Sequence, residues 1–145
     1  GGIYYADDGN TFRKFNAKDG TGLVYLRKAG IEVTIISSGN AGAIEHRAAR
    51  LGIEHVHTNC WDKLETLKEL TEKLGFGLDQ VAHMGDDIND LPVLEAVGCA
   101  IAPADAMPEV LAVADLVTGK SGGNGAVREI SDILRGQAVE RQRQA

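Results

Sequence analysis

Cysteine is scarce in this chain, with two among 145 residues. Neither Cys60 nor Cys99 belongs to a C-x-x-C pair, and nothing else in the sequence resembles a secreted disulfide scaffold. The expectation is two reduced thiols, with Cys99 in a buried strand. Positive charge is also short. The sequence sets 15 Lys and Arg against 21 Asp and Glu, a net charge of −6. That argues against a nucleic-acid binder, which needs a basic face toward the phosphate backbone. A small anionic substrate stays open, because a few local cations can bind one phosphate. Long apolar runs are missing as well. None reaches the length of a membrane-spanning helix, and no secretory signal pattern is visible. These absences point to a cytoplasmic protein with no membrane and no nucleic-acid partner. Internal repeats and low-complexity segments are absent too.

What is present is an ordinary globular mixture, 43% hydrophobic and 25% charged, of a length that suits one domain and one core. Ile3–Tyr5 and Thr11–Phe15 are β-prone runs around the turn Asp7-Asp8-Gly9-Asn10, so a hairpin is expected. A glycine-containing loop over Asn16 to Gly22 should lead to a short helix from Leu23 to Lys28. Val33–Ile36, Val81–Met84, Cys99–Ala102 and the shorter His55–His57 and Leu116–Val117 read as strands. Helices are expected over 43–51, 63–74, 91–97, 107–114 and 126–134, several of them stopped by glycine. Alternating strands and helices predict βαβ units, hence an α/β fold with a Rossmann-like three-layer parallel sheet. Residues 1–136 form a single domain in this reading, and 137–145 a polar, frayed tail. The chain opens Gly1-Gly2 and enters Ile3-Tyr4-Tyr5 at once, as though a segment stood upstream.

In an open parallel sheet, ligands bind beyond the carboxyl ends of the strands. Two polar loops fall there. One is Ser37-Ser38-Gly39-Asn40. The other, Gly85-Asp86-Asp87-Ile88-Asn89-Asp90, crowds three carboxylates into five residues, a cluster that a hard cation relieves; Mg²⁺ takes one or two such carboxylates besides water and phosphate oxygens. Alternatively these are solvated turn and cap residues, with Asp90 capping the next helix. The strand before and the helix after favour the metal. Ser37 has a hydroxyl and backbone N–H groups to offer a phosphate, although Ser-Ser-Gly-Asn is also an ordinary loop. Lys63, opening its helix, is either a cation for the same phosphate or a solvated lysine. The four histidines make no metal pattern, and His55 and His57 are expected to be structural. Trp61 and Met84 are expected to pack.

The order of these parts, strand–Ser37, then Lys63, then strand–Gly85-Asp86-Asp87-x-x-Asp90, resembles the second to fourth motifs of the haloacid dehalogenase (HAD) superfamily. Asn16-Ala17-Lys18-Asp19-Gly20-x-Gly22 and Gly122-Gly123-Asn124-Gly125-Ala126-Val127-Arg128-Glu129 resemble its KdsC-type branch, the 3-deoxy-D-manno-octulosonate 8-phosphate (KDO-8-phosphate) phosphatases. The resemblance runs from about Gly1 to Leu134. It implies a HAD-like fold with a β-hairpin flap and no large cap domain, and a Mg²⁺-dependent phosphomonoesterase working through an aspartyl-phosphate. It assigns Asp86 to Mg²⁺, Ser37 and Lys63 to the phosphoryl group, and Asp87 and Asp90 to ordering the metal loop. Asn16, Asp19, Gly20, Arg47 and Asn89 match positions near the substrate. It also implies a homotetramer in which the hairpin and a neighbouring subunit close the site.

The sequence departs from that pattern in two ways. The superfamily's first motif, Asp-x-Asp-Gly-x-x-Thr-Asp-Gly, is not found, and with it go the nucleophile and the strand that carries it, which is central in the superfamily. The expectation is that the complete protein has this strand, and that the 145 residues by themselves are inactive. Gly39 and Val24 stand where relatives have arginines that grip a carboxylate. The substrate expected is therefore KDO-8-phosphate or a related octulosonate or nonulosonate phosphate. The competing expectation is a non-catalytic oligomerisation module, as in some CMP-sialic acid synthetases.

Overall fold

The computed structural model describes residues 2–144. Ile3–Tyr5 (β1) and Thr11–Arg13 (β2) pair antiparallel, Ile3 opposite Arg13 and Tyr5 opposite Thr11. The turn closes through the Asp8 carboxylate, which accepts from the Asn10 backbone N–H at 3.0 Å. Every other strand pairing is parallel. Thr34–Ile36 (β3) pairs with His55–His57 (β4), and Ala82–Met84 (β5) pairs with Cys99–Ala102 (β6), which pairs in turn with Leu116–Val117 (β7). The connecting helices are Ala41–Leu51 (α2), Lys63–Leu74 (α3), Leu91–Leu94 (α4) and Pro108–Val113 (α5). Gly52 and Gly75 close α2 and α3 in the left-handed conformation, with φ of 69° and 76°.

Three helices depart from the expectation. The segment read as a loop from Asn16 is already helix, Ala17–Lys28 (α1), one turn and more ahead of Leu23. Asn16 is its N-cap, and its side chain accepts from the N–H groups of Lys18 at 2.8 Å and Asp19 at 3.3 Å. Gly20 and Gly22 suggested a loop, but here they serve packing: a Cβ at Gly22 would lie 2.8 Å from Ser131 Oγ, and one at Gly20 would overlap the Arg47 guanidinium. Close helix approach thus outweighs the helix-weakening tendency of glycine. The final helix is Ala126–Gln144 (α6), so the polar tail expected over 137–145 is helical as far as Gln144. Its residues are mostly good helix formers, and Arg141 and Arg143 complement the negative end of the helix dipole. Ala145 lies outside the described residues. In the other direction, α4 is a single turn where a helix over 91–97 is expected.

The core is divided. Leu26, Val33, Ala48 and Ile53 form one buried cluster around β3, and Leu94, Ala100, Ala102, Ala106 and Val110 form another around β6. The parallel sheet is divided in the same place, because β3 and β5 are not hydrogen-bonded to each other. Between them lies an apolar slot of about 720 Å³, lined by Ile35, Ile36, Leu67, Leu70, Met84 and Ile130 among others. Cys60 and Cys99 are both free thiols, and burial followed by the Asp115 charge pushes the Cys99 thiol up. No described helix is long and apolar enough to cross a membrane.

One close approach fixes how β6 begins. Gly98 N–H donates to Leu78 O at 2.9 Å, and a Cβ on Gly98 would overlap the backbone of Asp79. Gly98→Ala is therefore expected to lower stability by about 1–3 kcal/mol, the usual penalty of overpacking. Urea unfolding of the variant checks this, and an unchanged midpoint would contradict the packing described.

Candidate active site

The site begins with backbone geometry. Ile36 ends β3, and Ser37 N–H still donates to His57 O at 2.8 Å, as if the strand went on. The chain then turns, and Ser37 Oγ accepts from Gly39 N–H at 3.1 Å. A hydroxyl that accepts in this way keeps its own proton free to donate. The segment after β4 braces the turn from the side. Asn59 N–H donates to Gly39 O at 3.0 Å, and Cys60 N–H to Ser37 O at 2.9 Å. Asn59 does so at φ 52°, in the left-handed region that asparagine tolerates better than most residues.

The second component is the loop after β5. Gly85 N–H donates to Ile101 O at 3.1 Å, and Asp86 O accepts from Met107 N–H at 2.9 Å. The loop is thereby pinned to β6 and to the start of α5. Ile88–Asp90 makes one 3₁₀ turn before α4. The Asp90 side chain does not cap α4, contrary to the sequence reading. It folds back into the loop, where Oδ2 accepts from the N–H groups of Asp86 at 3.0 Å and Asp87 at 3.3 Å. Gly85 makes that possible, since a Cβ there would overlap Cβ and Cγ of Asp90. Asp87 stays exposed and accepts from Ile88 N–H at 2.7 Å.

Lys63 ties the two components together. It is the first residue of α3, in which the Asp62 side chain caps by accepting from Glu65 N–H at 3.1 Å. Its Nζ donates to Asp90 Oδ1 at 2.6 Å, and the two side chains are only 8% and 5% exposed. The solvated-lysine alternative is thereby removed. His83 Nε2 stands 3.8 Å from the same oxygen, too far for a hydrogen bond, and has no other partner among the described residues. Burial alone would raise the Asp90 carboxyl. The neighbouring His83 and Lys63, with the Asp87 N–H, more than offset that and hold it well below the usual carboxylate range.

A further link comes from Asn89, whose Nδ2 donates to Ser38 Oγ at 3.3 Å and joins the acidic loop to the serine loop. Ser37, Lys63, Asp86, Asp87, Asn89 and Asp90 thus lie on one hydrogen-bonded set of loops beyond β3, β4 and β5. The remaining predicted residues form a second group around α1. Asp19 is buried, and its carboxylate accepts from Arg128 N–H at 2.9 Å and Gly125 N–H at 3.3 Å, at the start of α6. Arg47 packs over Gly20, and Asn16 caps α1. No hydrogen bond or ion pair joins this second group to the first among the described residues. Trp61, expected to pack, is 77% exposed beside the site loops instead. Asn59 and His83 were missed. An asparagine in a loop shortly after a strand is a weak turn signal, and a histidine on a strand gives no sign of which carboxylate it will approach.

The Lys63–Asp90 pair generates a stability prediction. Removing one partner leaves a buried charge uncompensated, so Lys63→Ala is expected to cost about 3–5 kcal/mol, and the neutral pair K63M/D90N much less. Asp90, with its lowered carboxyl, contributes stability that is fully present above about pH 4 and is lost as pH falls through the folded value. The advantage of wild type over K63M/D90N should therefore shrink on lowering pH from about 5 toward 2. Denaturant unfolding of both proteins across that range checks it; a constant difference would contradict the account.

Comparison with known proteins identifies the family. Residues 47–130 match the family model described as haloacid dehalogenase-like hydrolase. The KdsC 3-deoxy-D-manno-octulosonate 8-phosphate phosphatase of Escherichia coli K12 is 42% identical over 132 residues, which is 91% of this chain and 70% of the relative. The crystal structure of the Moraxella catarrhalis 3-deoxy-D-manno-octulosonate 8-phosphate phosphatase, in complex with magnesium, phosphate and KDO, superposes with a TM-score of 0.90 at 38% identity, over 94% of this chain and 78% of the other. The cobalt-bound enzyme of Haemophilus influenzae superposes with a TM-score of 0.88 at 34% identity, over 94% of this chain and 80% of the other. The chain belongs to the haloacid dehalogenase-like hydrolases, within their KdsC-type branch of phosphatases.

Proposed function

We propose that this protein is a Mg²⁺-dependent phosphomonoesterase that hydrolyses an acidic sugar phosphate, KDO-8-phosphate or a related octulosonate or nonulosonate phosphate, through an aspartyl-phosphate. The observation that carries the reading is the gathering of the Ser37 hydroxyl, the buried Lys63 ammonium and the Asp86 carboxylate on loops that hydrogen-bond to one another. Lys63 gives one N–H to Asp90, and an ammonium has three. Two remain for phosphoryl oxygens, where they stabilise the charge that develops in transfer. The Ser37 proton is free to serve another oxygen. Asp90 orients Lys63 and holds the N–H groups of Asp86 and Asp87 at the same time, so it acts on the site through both loops. Asn89 and Asp87 keep the loop in register, and Asn16, Asp19, Gly20 and Arg47 shape the substrate side of α1.

The Asp86 loop fits a hard cation. Its carboxylate is exposed, while its backbone is held at both N–H and C=O. Among the described residues no group of three or more His, Cys, Asp or Glu gathers around a point. Asp86 would be one of the protein carboxylates on the ion, with water and phosphate oxygens beside it, a ligand set that suits Mg²⁺. When bound, Mg²⁺ supplies charge neutralisation on the phosphoryl group. In this reading the attacking aspartate belongs to an Asp-x-Asp pair, which the 145 residues do not contain. The slot between β3 and β5 supports a seat for the strand that bears it, parallel neighbours being about 4.8 Å apart. The carboxylate oxygen bonds to phosphorus as the bond from phosphorus to the sugar oxygen breaks, and that oxygen takes a proton from the second aspartate. Water then displaces the carboxylate and releases phosphate. The exposed Tyr4, Tyr5 and Phe12 of the hairpin, at 59%, 76% and 62%, support a further chain copy against the flap, as in a homotetramer.

The full gene product is expected to release phosphate from such a substrate with Mg²⁺ and to stop with EDTA. Lys63→Ala and Asp86→Asn should each lower kcat/KM by about 10²–10³, and the 145 residues alone should show no turnover. A colorimetric phosphate assay checks all three. Turnover indifferent to EDTA and to Asp86→Asn would sink the reading. No turnover, together with no Mg²⁺-dependent thermal shift, would leave assembly as the function.

A further inference from the structure

One cation near the site is not used by the chemistry above. Arg13 is the last residue of β2 and the one half-buried residue of that strand, Thr11 and Phe12 being exposed. Its guanidinium lies against the serine loop. A Cβ built on Gly39 would sit 2.9 Å from Arg13 Nη2, 3.1 Å from Nη1 and 3.2 Å from Ser37 Oγ. The flap arginine and the serine hydroxyl therefore border one small space, kept open because residue 39 has no side chain. Arg13 makes no ion pair among the described residues. The next residue, Lys14, points elsewhere and donates to Asn124 Oδ1 at 3.2 Å. That contact ties the base of the hairpin to the loop before α6 and holds Arg13 on the opposite side.

We propose that Arg13 is a specificity residue that binds the substrate's carboxylate. A half-buried guanidinium without an acidic partner is set up for an anion, and its planar fork matches a carboxylate in two parallel hydrogen bonds. Phosphoryl oxygens already have Ser37, Lys63 and the Asp86 metal site. Arg13 enters from the flap, beyond the serine loop, and so meets the part of the substrate that is not transferred. Gly39 belongs to the same device: with any side chain there, the guanidinium must withdraw. A sugar phosphate without a carboxylate would leave the Arg13 fork without those two parallel hydrogen bonds, which makes the residue a discriminator.

This inference rests on the phosphatase reading and deepens it, so the test separates the two. In the full gene product with Mg²⁺, kcat/KM is measured for KDO-8-phosphate and for p-nitrophenyl phosphate, which has no carboxylate, and their ratio is taken. Arg13→Ala should lower that ratio about 10–100-fold, the worth of a hydrogen-bonded charge pair, mainly through KM. Arg13→Lys should recover part of the loss, since lysine keeps the charge without the fork. Gly39→Ala, which keeps the arginine but displaces its guanidinium, should lower the ratio as well. A ratio unchanged within about twofold in Arg13→Ala, with both substrates turned over, would overturn the role of Arg13 and leave the phosphatase reading intact. Wild type that hydrolyses neither substrate would overturn both.

Discussion

A lysine ammonium and an aspartate carboxylate in contact at 2.6 Å, both almost fully removed from water, organise this molecule's polar end. Burying two charges is unfavourable unless each is fully partnered. Asp90 meets that condition by using both oxygens, one for Lys63 and the other for the N–H groups of Asp86 and Asp87. The pair therefore does more than neutralise itself. It joins the start of α3 to the loop after β5, and it sets the direction of the Asp86 backbone. Gly85 is part of the same constraint, because only a residue without a side chain leaves room for Asp90 to fold back.

The position of the site follows from the parallel arrangement. Three strands running the same way deliver three loops to one edge. The loops are then fixed to one another by short contacts: Asn59 and Cys60 on the serine turn, and Asn89 on Ser38. Each of these is an ordinary hydrogen bond. Their joint effect is to hold a hydroxyl, an ammonium and a carboxylate in place on a scaffold whose apolar clusters lie beneath. A preorganised set of donors of this kind is what phosphoryl transfer requires, because the charge that develops is met without reorganising the site.

Much of this could be read from the sequence. The β-branched run before Ser37 and the strand before Gly85 placed both loops correctly, because buried parallel strands have a strong compositional signature. The glycine stops after α2 and α3 were equally plain. The failures share one cause, which is that long-range contacts are invisible in local pattern. Gly20 and Gly22 read as loop because their packing partners, Arg47 and Ser131, lie far along the chain. Asp90 read as a helix cap because a residue before a helix is usually one; its actual partner, Lys63, is 27 residues earlier. Lys63 by its position alone was an even choice between a solvated side chain and a site cation; the family resemblance favoured the cation, and burial rules out the first. The tail over 137–145 read as frayed from its polarity, yet polar residues of good helix propensity simply continue α6 as far as Gln144.

The central claim is that Lys63, oriented by Asp90, and Ser37 hold a phosphoryl group while Asp86 faces the metal. A crystal structure of the full gene product with Mg²⁺ and orthovanadate tests it most directly. The account predicts the Asp86 carboxylate on the metal, and Lys63 Nζ bridging Asp90 and a vanadate oxygen with the Ser37 hydroxyl on another. Vanadate bound elsewhere, or a metal that leaves Asp86 without contact while Lys63 and Asp90 stay paired, would contradict it.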